Sequence, residues 1–156
     1  MAATARPAVA YAVFAGFESS YSRGGLLPEE IEQTSTRAEI EALSRGVETV
    51  REIMLEKAYV KDVYIATDFK PPVNAMTVWM STWLKNGGRR TNGAEVAHFP
   101  LLVDIFLRLN AIFYAAGGEG QGKPVKLRYI PRKRNMEADR LVNQTFNENF
   151  SIADIA

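Results

Sequence analysis

The spacing of apolar residues changes once in the first third of the chain. Residues 9–17 form a nearly continuous apolar run, which predicts a strand followed by a hairpin-like bend at Gly24-Gly25. From Ser35 onward, apolar residues recur every three or four positions, as expected of an amphipathic helix capped by Ser35 or Thr36. The apolar stripe of this helix consists of Ile40, Leu43, Val47, Val50 and Met54.

The remainder of the chain alternates between strand and helix patterns. Val63–Thr67 is a short apolar run typical of a strand with both faces buried. Strands that alternate with helices indicate an α/β domain. The other predicted elements are helices from Pro71 to Leu84, from Leu101 to Tyr114 and from Asn135 to Phe146, a strand from Lys123 to Ile130, and a glycine-rich loop from Ala115 to Gly122.

Composition excludes several kinds of site. The 156 residues contain no cysteine, which removes disulfides, thiolate metal sites and cysteine nucleophiles, and His98 is the single histidine. The length predicts one domain over residues 1–156, with 147–156 as a C-terminal tail. No apolar run approaches the roughly 20 residues that span a bilayer, and residues 1–7 lack a secretory pattern. We therefore expect an intracellular domain, in cytoplasm or nucleus, with no membrane partner.

The charges are segregated along the chain, although the formal net charge is only +1. Residues 29–56 contain eight acidic side chains and residues 123–140 contain seven basic ones, with a second basic group at 85–90. Charge blocks of this kind are commonly solvated faces. Clustered Lys and Arg also attract polyanions when the total charge is near zero, so a phosphate-binding rim is the second interpretation.

Three carboxylates occupy positions unlike those of ordinary surface charges. Glu39 lies beside the apolar stripe near the start of its helix, Asp68 ends a predicted strand, and Asp139 lies on the apolar row of the last helix. Each one alone is explained by a cap or an ion pair. Together they suggest a site for Mg²⁺ or Mn²⁺, because these ions take oxygen ligands.

The segments around these carboxylates resemble the motif series of ribonuclease H, in its fungal-type form. The resemblance covers about residues 8–145. It is carried by Thr34-Ser35-Thr36-Arg37-Ala38-Glu39, Ile65-Ala66-Thr67-Asp68, Asn135-Met136-Glu137-Ala138-Asp139-Arg140-Leu141, the opening run Ala12-Val13-Phe14-Ala15-Gly16, and the helix Val78 to Gly87 that looks like the approach to the family's basic handle.

The resemblance implies a five-stranded mixed sheet flanked by helices and a four-carboxylate site. That site binds two magnesium ions and cleaves the RNA strand of an RNA–DNA hybrid. Glu39, Asp68 and Asp139 match the second, third and fourth acids, whereas the first acid, on the family's central first strand, has no counterpart before Glu18. We therefore expect weakened metal binding and a gap beside strand 63–67.

A partner chain, a segment swapped within a homodimer, or a rearranged segment 2–17 is expected to fill this gap. The expected nucleic acid is an RNA–DNA hybrid or double-stranded RNA. The predicted contacts are polar and basic residues of the motif segments and basic groups: Ser35, Thr36, Lys85, Arg89, Arg90, Arg132, Lys133 and Arg134.

Three functions remain open at this point. The first is a nucleic-acid-binding pseudoenzyme with the ribonuclease H-like fold and an incomplete metal site. The second is an active endonuclease, a hydrolase whose first strand is truncated or supplied in trans. The third is a protein-interaction scaffold that binds no nucleic acid.

Overall fold

The computed structural model describes residues 9–16, 18–57, 60, 62–115 and 125–149, without the side chains of 113–115 and 146–149. No helix in this part of the chain is long and apolar enough to cross a membrane. The elements in chain order are β1 (Ala10–Val13), β2 (Arg23–Leu26), α1 (Ser35–Glu56), β3 (Val63–Thr67), α2 (Lys70–Asn74), a π-helical turn (Ala75–Trp79), α3 (Met80–Lys85), α4 (Phe99–Ala115), β4 (Val125–Tyr129), a 3₁₀ turn (Arg132–Arg134) and α5 (Met136–Asn149).

The first two strands form an antiparallel hairpin in which Ala12 lies opposite Gly24. Gly24-Gly25 therefore lies inside β2, and the prediction of a bend there is wrong. The glycines have another purpose, since a Cβ on Gly24 would overlap the Thr145 hydroxyl of α5 and the phenol of Tyr11 would obstruct one on Gly25. The absence of a side chain at Gly24 lets α5 pack directly on the hairpin, and the absence of one at Gly25 leaves room for the Tyr11 ring.

Helix α1 follows its predicted stripe and supplies the centre of the core. Ile40, Leu43 and Val47 are buried against Ile105 and Ile112 of α4. The cap differs from the prediction. Thr34, rather than Ser35 or Thr36, accepts a hydrogen bond at its hydroxyl from the backbone N–H of Arg37, at 3.1 Å.

The second pair of strands, β3 and β4, is parallel, with Ile65 opposite Leu127. Ile65 and Leu127 pack against the α1–α4 core. The opposite face of β3 is open, because Tyr64 is 60% exposed. The prediction that both faces of Val63–Thr67 are buried is therefore wrong, whereas its bounds as a strand are correct.

The predicted helix from Pro71 to Leu84 is present as α2, the π-helical turn and α3. Met80 is fully buried beneath it, in a second small core with Val96 and Leu102. The predicted glycine-rich loop lies largely outside the described residues, since 116–124 are not described.

The two strand pairs are separate sheets, and no hydrogen-bonded ladder joins β1 to β3 within the described residues. Helix α1 packs against β1 and β3, and α4 packs against β4. Helix α5 packs against β1 and β2. Two sheets flanked by helices give the α/β layering that the sequence predicts. The separation of β1 from β3 leaves a cleft between the two sheets.

Candidate nucleic-acid site at the cleft between the two sheets

A cavity of about 740 Å³ separates β1 from β3. The two strands form its walls, α1 contributes its base, and the first turns of α5 close part of one side. The volume lies between two strand edges rather than beneath a loop. The cleft therefore results from the spacing between β1 and β3.

The three predicted carboxylates line this cleft together. Glu39 comes from the second turn of α1, Asp68 follows the last residue of β3, and Asp139 lies in the first turn of α5. Residues far apart in the chain meet here because β3 ends next to the beginning of α1. The Asp139 side chain is 39% exposed, so this end of the cleft is open to solvent.

The three carboxylates lie close enough for electrostatic repulsion between them. Partial burial of Glu39 raises the pKa of its carboxyl, and the negative charges of Asp68 and Asp139 raise it further. The Arg132 guanidinium opposes this rise. The cleft end is thus a region of concentrated negative potential, where a cation or a proton is stabilised.

Basic residues border the same end of the cleft. The 3₁₀ turn that follows β4 places Arg132 and Arg134 in the lining, and Arg132 Nε lies 3.5 Å from Asp139 Oδ2. The Arg132 side chain is 83% exposed, so this ion pair is solvated and its guanidinium is accessible to a ligand. Ser35, at the first turn of α1, also lines the cleft.

The arrangement gives a partial fit to a metal. Carboxylate oxygens are the donor type that Mg²⁺ and Mn²⁺ prefer. Among the described residues, however, no three His, Cys, Asp or Glu side chains converge closely enough to hold an ion. The carboxylates line one cleft and repel one another electrostatically, but they do not form a complete coordination shell.

The other predicted contacts are distributed more widely. Lys85, Arg89 and Arg90 are exposed at the end of α3 and in the segment after it, and they do not line the cleft. Arg89 Nη1 donates to the Gly93 carbonyl at 3.0 Å, and its guanidinium pairs with Glu95 at 3.6 Å. Thr36 and Lys133 adjoin cleft residues without lining it. The sequence blocks thus form two separate basic surfaces.

The structure adds residues that the sequence analysis did not select. Asn135 lines the cleft immediately before α5, and the backbones of β1 and β3 form its walls. Asn135 belongs to the motif segment that contains Asp139, so its position was a usable signal. The strand edges carry no sequence signal, because any residue type presents the same peptide groups.

His98 and the tryptophans lie outside the cleft lining. His98 has a positive φ of 57° at the start of α4, and its carbonyl accepts from the N–H groups of Leu101 and Leu102, both at 3.1 Å. Trp79 and Trp83 lie on one side of their helix, with ring centroids 5.6 Å apart. These features are consistent with structural uses of the three residues.

The sequence matches no protein-family model and no curated protein. Solved structures do match. A foamy virus protease–reverse transcriptase in complex with double-stranded DNA superposes with a TM-score of 0.61 at 19% identity, covering 88% of this chain and 78% of that chain. The foamy virus protein in complex with an RNA/DNA hybrid superposes with a TM-score of 0.60 at 15% identity, covering 90% of this chain. This chain spans 19% of the length of that second structure.

These likenesses concern the fold. With the α/β layering described above, they confirm that the chain has a ribonuclease H-like α/β fold.

Proposed function

We propose that this chain is a nucleic-acid-binding domain of the ribonuclease H-like fold that binds an RNA–DNA hybrid or double-stranded RNA at the carboxylate end of its cleft. The observation that carries the proposal is the pairing of a solvent-open carboxylate group with the exposed Arg132 at one cleft mouth. The foamy virus structures of the same fold hold double-stranded DNA or an RNA/DNA hybrid, which supports a nucleic-acid partner.

Phosphate groups would contact the basic rim rather than the carboxylates. Arg132 and Arg134 present guanidinium groups suited to bidentate phosphate contacts. Ser35 adds a hydroxyl at the start of α1. Lys85, Arg89 and Arg90 form a second exposed basic surface outside the cleft lining. The fungal-type assignment rests on the motif segments and remains part of this proposal.

We propose further that the isolated chain is a weak or inactive nuclease. Glu39, Asp68 and Asp139 are the residues that would hold Mg²⁺ or Mn²⁺, and such ions would supply charge stabilisation for phosphodiester hydrolysis. The carboxylates do not converge on a common point within the described residues. The basic rim of Arg132 and Arg134 would bind phosphates, whereas the three carboxylates alone form an incomplete metal site. We therefore expect binding without efficient cleavage.

A second candidate function is an active ribonuclease H whose first strand comes from elsewhere. The open cleft beside the carboxylates favours it, because a strand placed there would end close to Glu39 and Asp68. A labelled RNA–DNA hybrid incubated with Mg²⁺ or Mn²⁺ separates the two candidates. Cleavage that Asp68→Asn abolishes supports the active enzyme, whereas binding without cleavage supports the pseudoenzyme.

Binding itself is tested with hybrid, double-stranded RNA and double-stranded DNA across a salt series. Loss of one phosphate contact in Arg132→Gln should lower the slope of log affinity against log salt by about 0.9. Arg51→Gln is the matched control, since Arg51 is exposed on α1 away from the cleft lining. Equal slopes for the two variants contradict the proposed site, because the nucleic acid then binds elsewhere. No binding at low salt favours a scaffold without nucleic acid.

A further inference from the structure

The strand β1 runs in the same direction as α1. At its beginning, the Val9 N–H donates to Gln33 Oε1 at 3.1 Å, just before the helix starts. At its end, Val13 lies opposite Arg23, whose guanidinium bonds Glu52 at 2.8 Å near the end of the helix. The two ends of β1 therefore match the two ends of α1.

The strand β3 runs in the opposite direction. Its end at Asp68 lies close enough to Glu39, near the start of α1, to raise the pKa of that carboxyl. Its centre lies beside the middle of the helix, since a Cβ on Gly46 would be 3.7 Å from Ile65 Cγ2. The cleft is therefore bounded by two strands of opposite direction.

The peptide groups that face the cleft follow from the observed ladders. The Val9 carbonyl accepts from the Leu27 N–H at 2.9 Å, so Val9 and every second residue after it face β2. Ala10 and Ala12 consequently direct their peptide groups into the cleft. Peptide groups at a strand edge that lack a neighbouring strand are a template for pairing with another strand.

The opposite wall has the same property. The Thr67 carbonyl accepts from the Ile130 N–H at 2.9 Å, which directs the peptide groups of Val63, Ile65 and Thr67 toward β4. Tyr64 and Ala66 then direct theirs toward the cleft. Among the described residues, two strand edges without a pairing partner thus face each other across one cavity, which is the arrangement that one additional strand would complete.

The lining selects an apolar occupant. The helical base of the cleft carries small residues, Ala38, Ala42 and Gly46, which leave room for larger apolar side chains. The flank formed by α5 contributes Ala138 and Val142. The interior of the cleft does not suit a nucleic acid, because phosphates gain nothing from its aliphatic walls; the proposed nucleic-acid contacts lie outside it, on the basic rim at the mouth.

From this geometry we propose that the cleft accepts one extended strand from a separate polypeptide, rather than from residues 1–8 or 150–156 of the same chain or from a second copy of it. The occupant has four to five residues in the ladder, as β1 and β3 do, and apolar side chains at its centre. It runs parallel to β3 and antiparallel to β1, because that direction continues the parallel pattern of β3–β4 and the antiparallel pattern of β1–β2. The inserted strand joins the two sheets by β-augmentation.

The proposal does not depend on nucleic-acid binding and is tested without it. The probe is the peptide acetyl-Lys-Thr-Val-Val-Val-Thr-Lys-amide carrying a fluorophore, titrated with the full chain by fluorescence anisotropy. The matched control is the same peptide with two alternate backbone amides N-methylated, which removes donors and keeps the side chains. We expect saturable binding that N-methylation weakens at least tenfold.

Protein variants test the location of the bound peptide. Ala42→Leu places three extra carbon atoms in the cleft and should weaken peptide binding at least tenfold. Ala111→Leu makes the same change at an exposed position of α4 and should leave peptide binding unchanged. Equal binding of the N-methylated peptide, equal effects of the two variants, or no binding by the folded chain overturns the proposal.

Amide hydrogen exchange identifies the occupant. The N–H groups of Ala10, Ala12, Tyr64 and Ala66 should become protected only when the peptide is added. Protection without peptide in dilute protein would show that the chain's own residues outside 9–149 fill the cleft. Protection that grows with protein concentration would show that a second copy fills it. Either result overturns the proposal of a separate strand.

Discussion

The volume of the cleft makes a prediction about stability that is opposite in sign to the usual effect of enlarging an interior residue. Ala42 is half-buried on α1 and lines the cavity between β1 and β3. In a filled interior, Ala→Leu forces neighbours apart and costs about 1–3 kcal/mol. In an open cleft, the added side chain finds space. The sign of the change therefore reports whether the cleft is filled.

The magnitude follows from the atoms added. Leucine adds three carbon groups, each worth about 0.8 kcal/mol when fully buried. The cleft is open on one side, so about half of this burial is realised, and α-helix propensity removes a few tenths of a kcal/mol. We expect Ala42→Leu to raise the free energy of unfolding by about 1 kcal/mol, with an increase in Tm of about 2–4 °C.

Urea unfolding followed by circular dichroism measures this change, with Ala111→Leu on the exposed side of α4 as the control. The control should change the free energy of unfolding by less than about 0.5 kcal/mol. A loss of 1 kcal/mol or more in Ala42→Leu, with an unchanged control, would refute the reasoning, because it would show that the cleft is already filled in the isolated chain.

Three further substitutions test the site and the core. The raised pKa of Glu39 means that the folded chain binds this proton more tightly than the unfolded chain. The free energy of unfolding therefore falls as pH rises from the pKa of Glu39 in the unfolded chain through its higher pKa in the folded chain. Glu39→Gln should therefore stabilise the chain at pH 7 and lose this advantage in acid. Glu48→Gln, at an exposed position of α1, should show no such pH dependence. Equal pH profiles of the two variants in urea titrations would contradict the raised pKa of Glu39. Thr34→Ala removes the cap of α1 and should cost about 1 kcal/mol in urea unfolding, with Thr34→Ser restoring most of it; no loss would show that the cap is unimportant. Ile105→Ala empties the centre of the α1–α4 core and should cost about 2–5 kcal/mol by the same measurement; a loss below 1 kcal/mol would contradict its buried position.

The sequence predicted the elements with strong periodicity more accurately than those that depend on tertiary contacts. The bounds of β3 and the stripe of α1 were correct because alternation and helical spacing are local properties. The glycines at 24 and 25 were mistaken for a bend because Gly24 permits the close approach of α5 and Gly25 leaves room for the Tyr11 ring, contacts that no local pattern reveals. The burial of β3 was overestimated because Tyr64 is apolar in character yet faces solvent.

The candidate site shows the same division. Glu39, Asp68 and Asp139 were grouped from their places at the ends or along the faces of predicted elements, and the structure brings all three to one cleft. Their roles as metal ligands remain a prediction. The separation of Arg132 and Arg134 from Lys85, Arg89 and Arg90 was not evident from the sequence, because a charge count does not record which surface each block occupies.

The central claim, that a nucleic-acid duplex binds at the carboxylate end of the cleft, is tested most directly by chemical-shift mapping. The ¹⁵N-labelled chain is titrated at low salt with a short RNA–DNA hybrid. We predict the largest shifts at Ser35, Arg132 and Asn135, with the exposed face of α1 around Glu48 and Arg51 unaffected. No shifts, or shifts confined to surfaces away from the cleft, would contradict the proposed site.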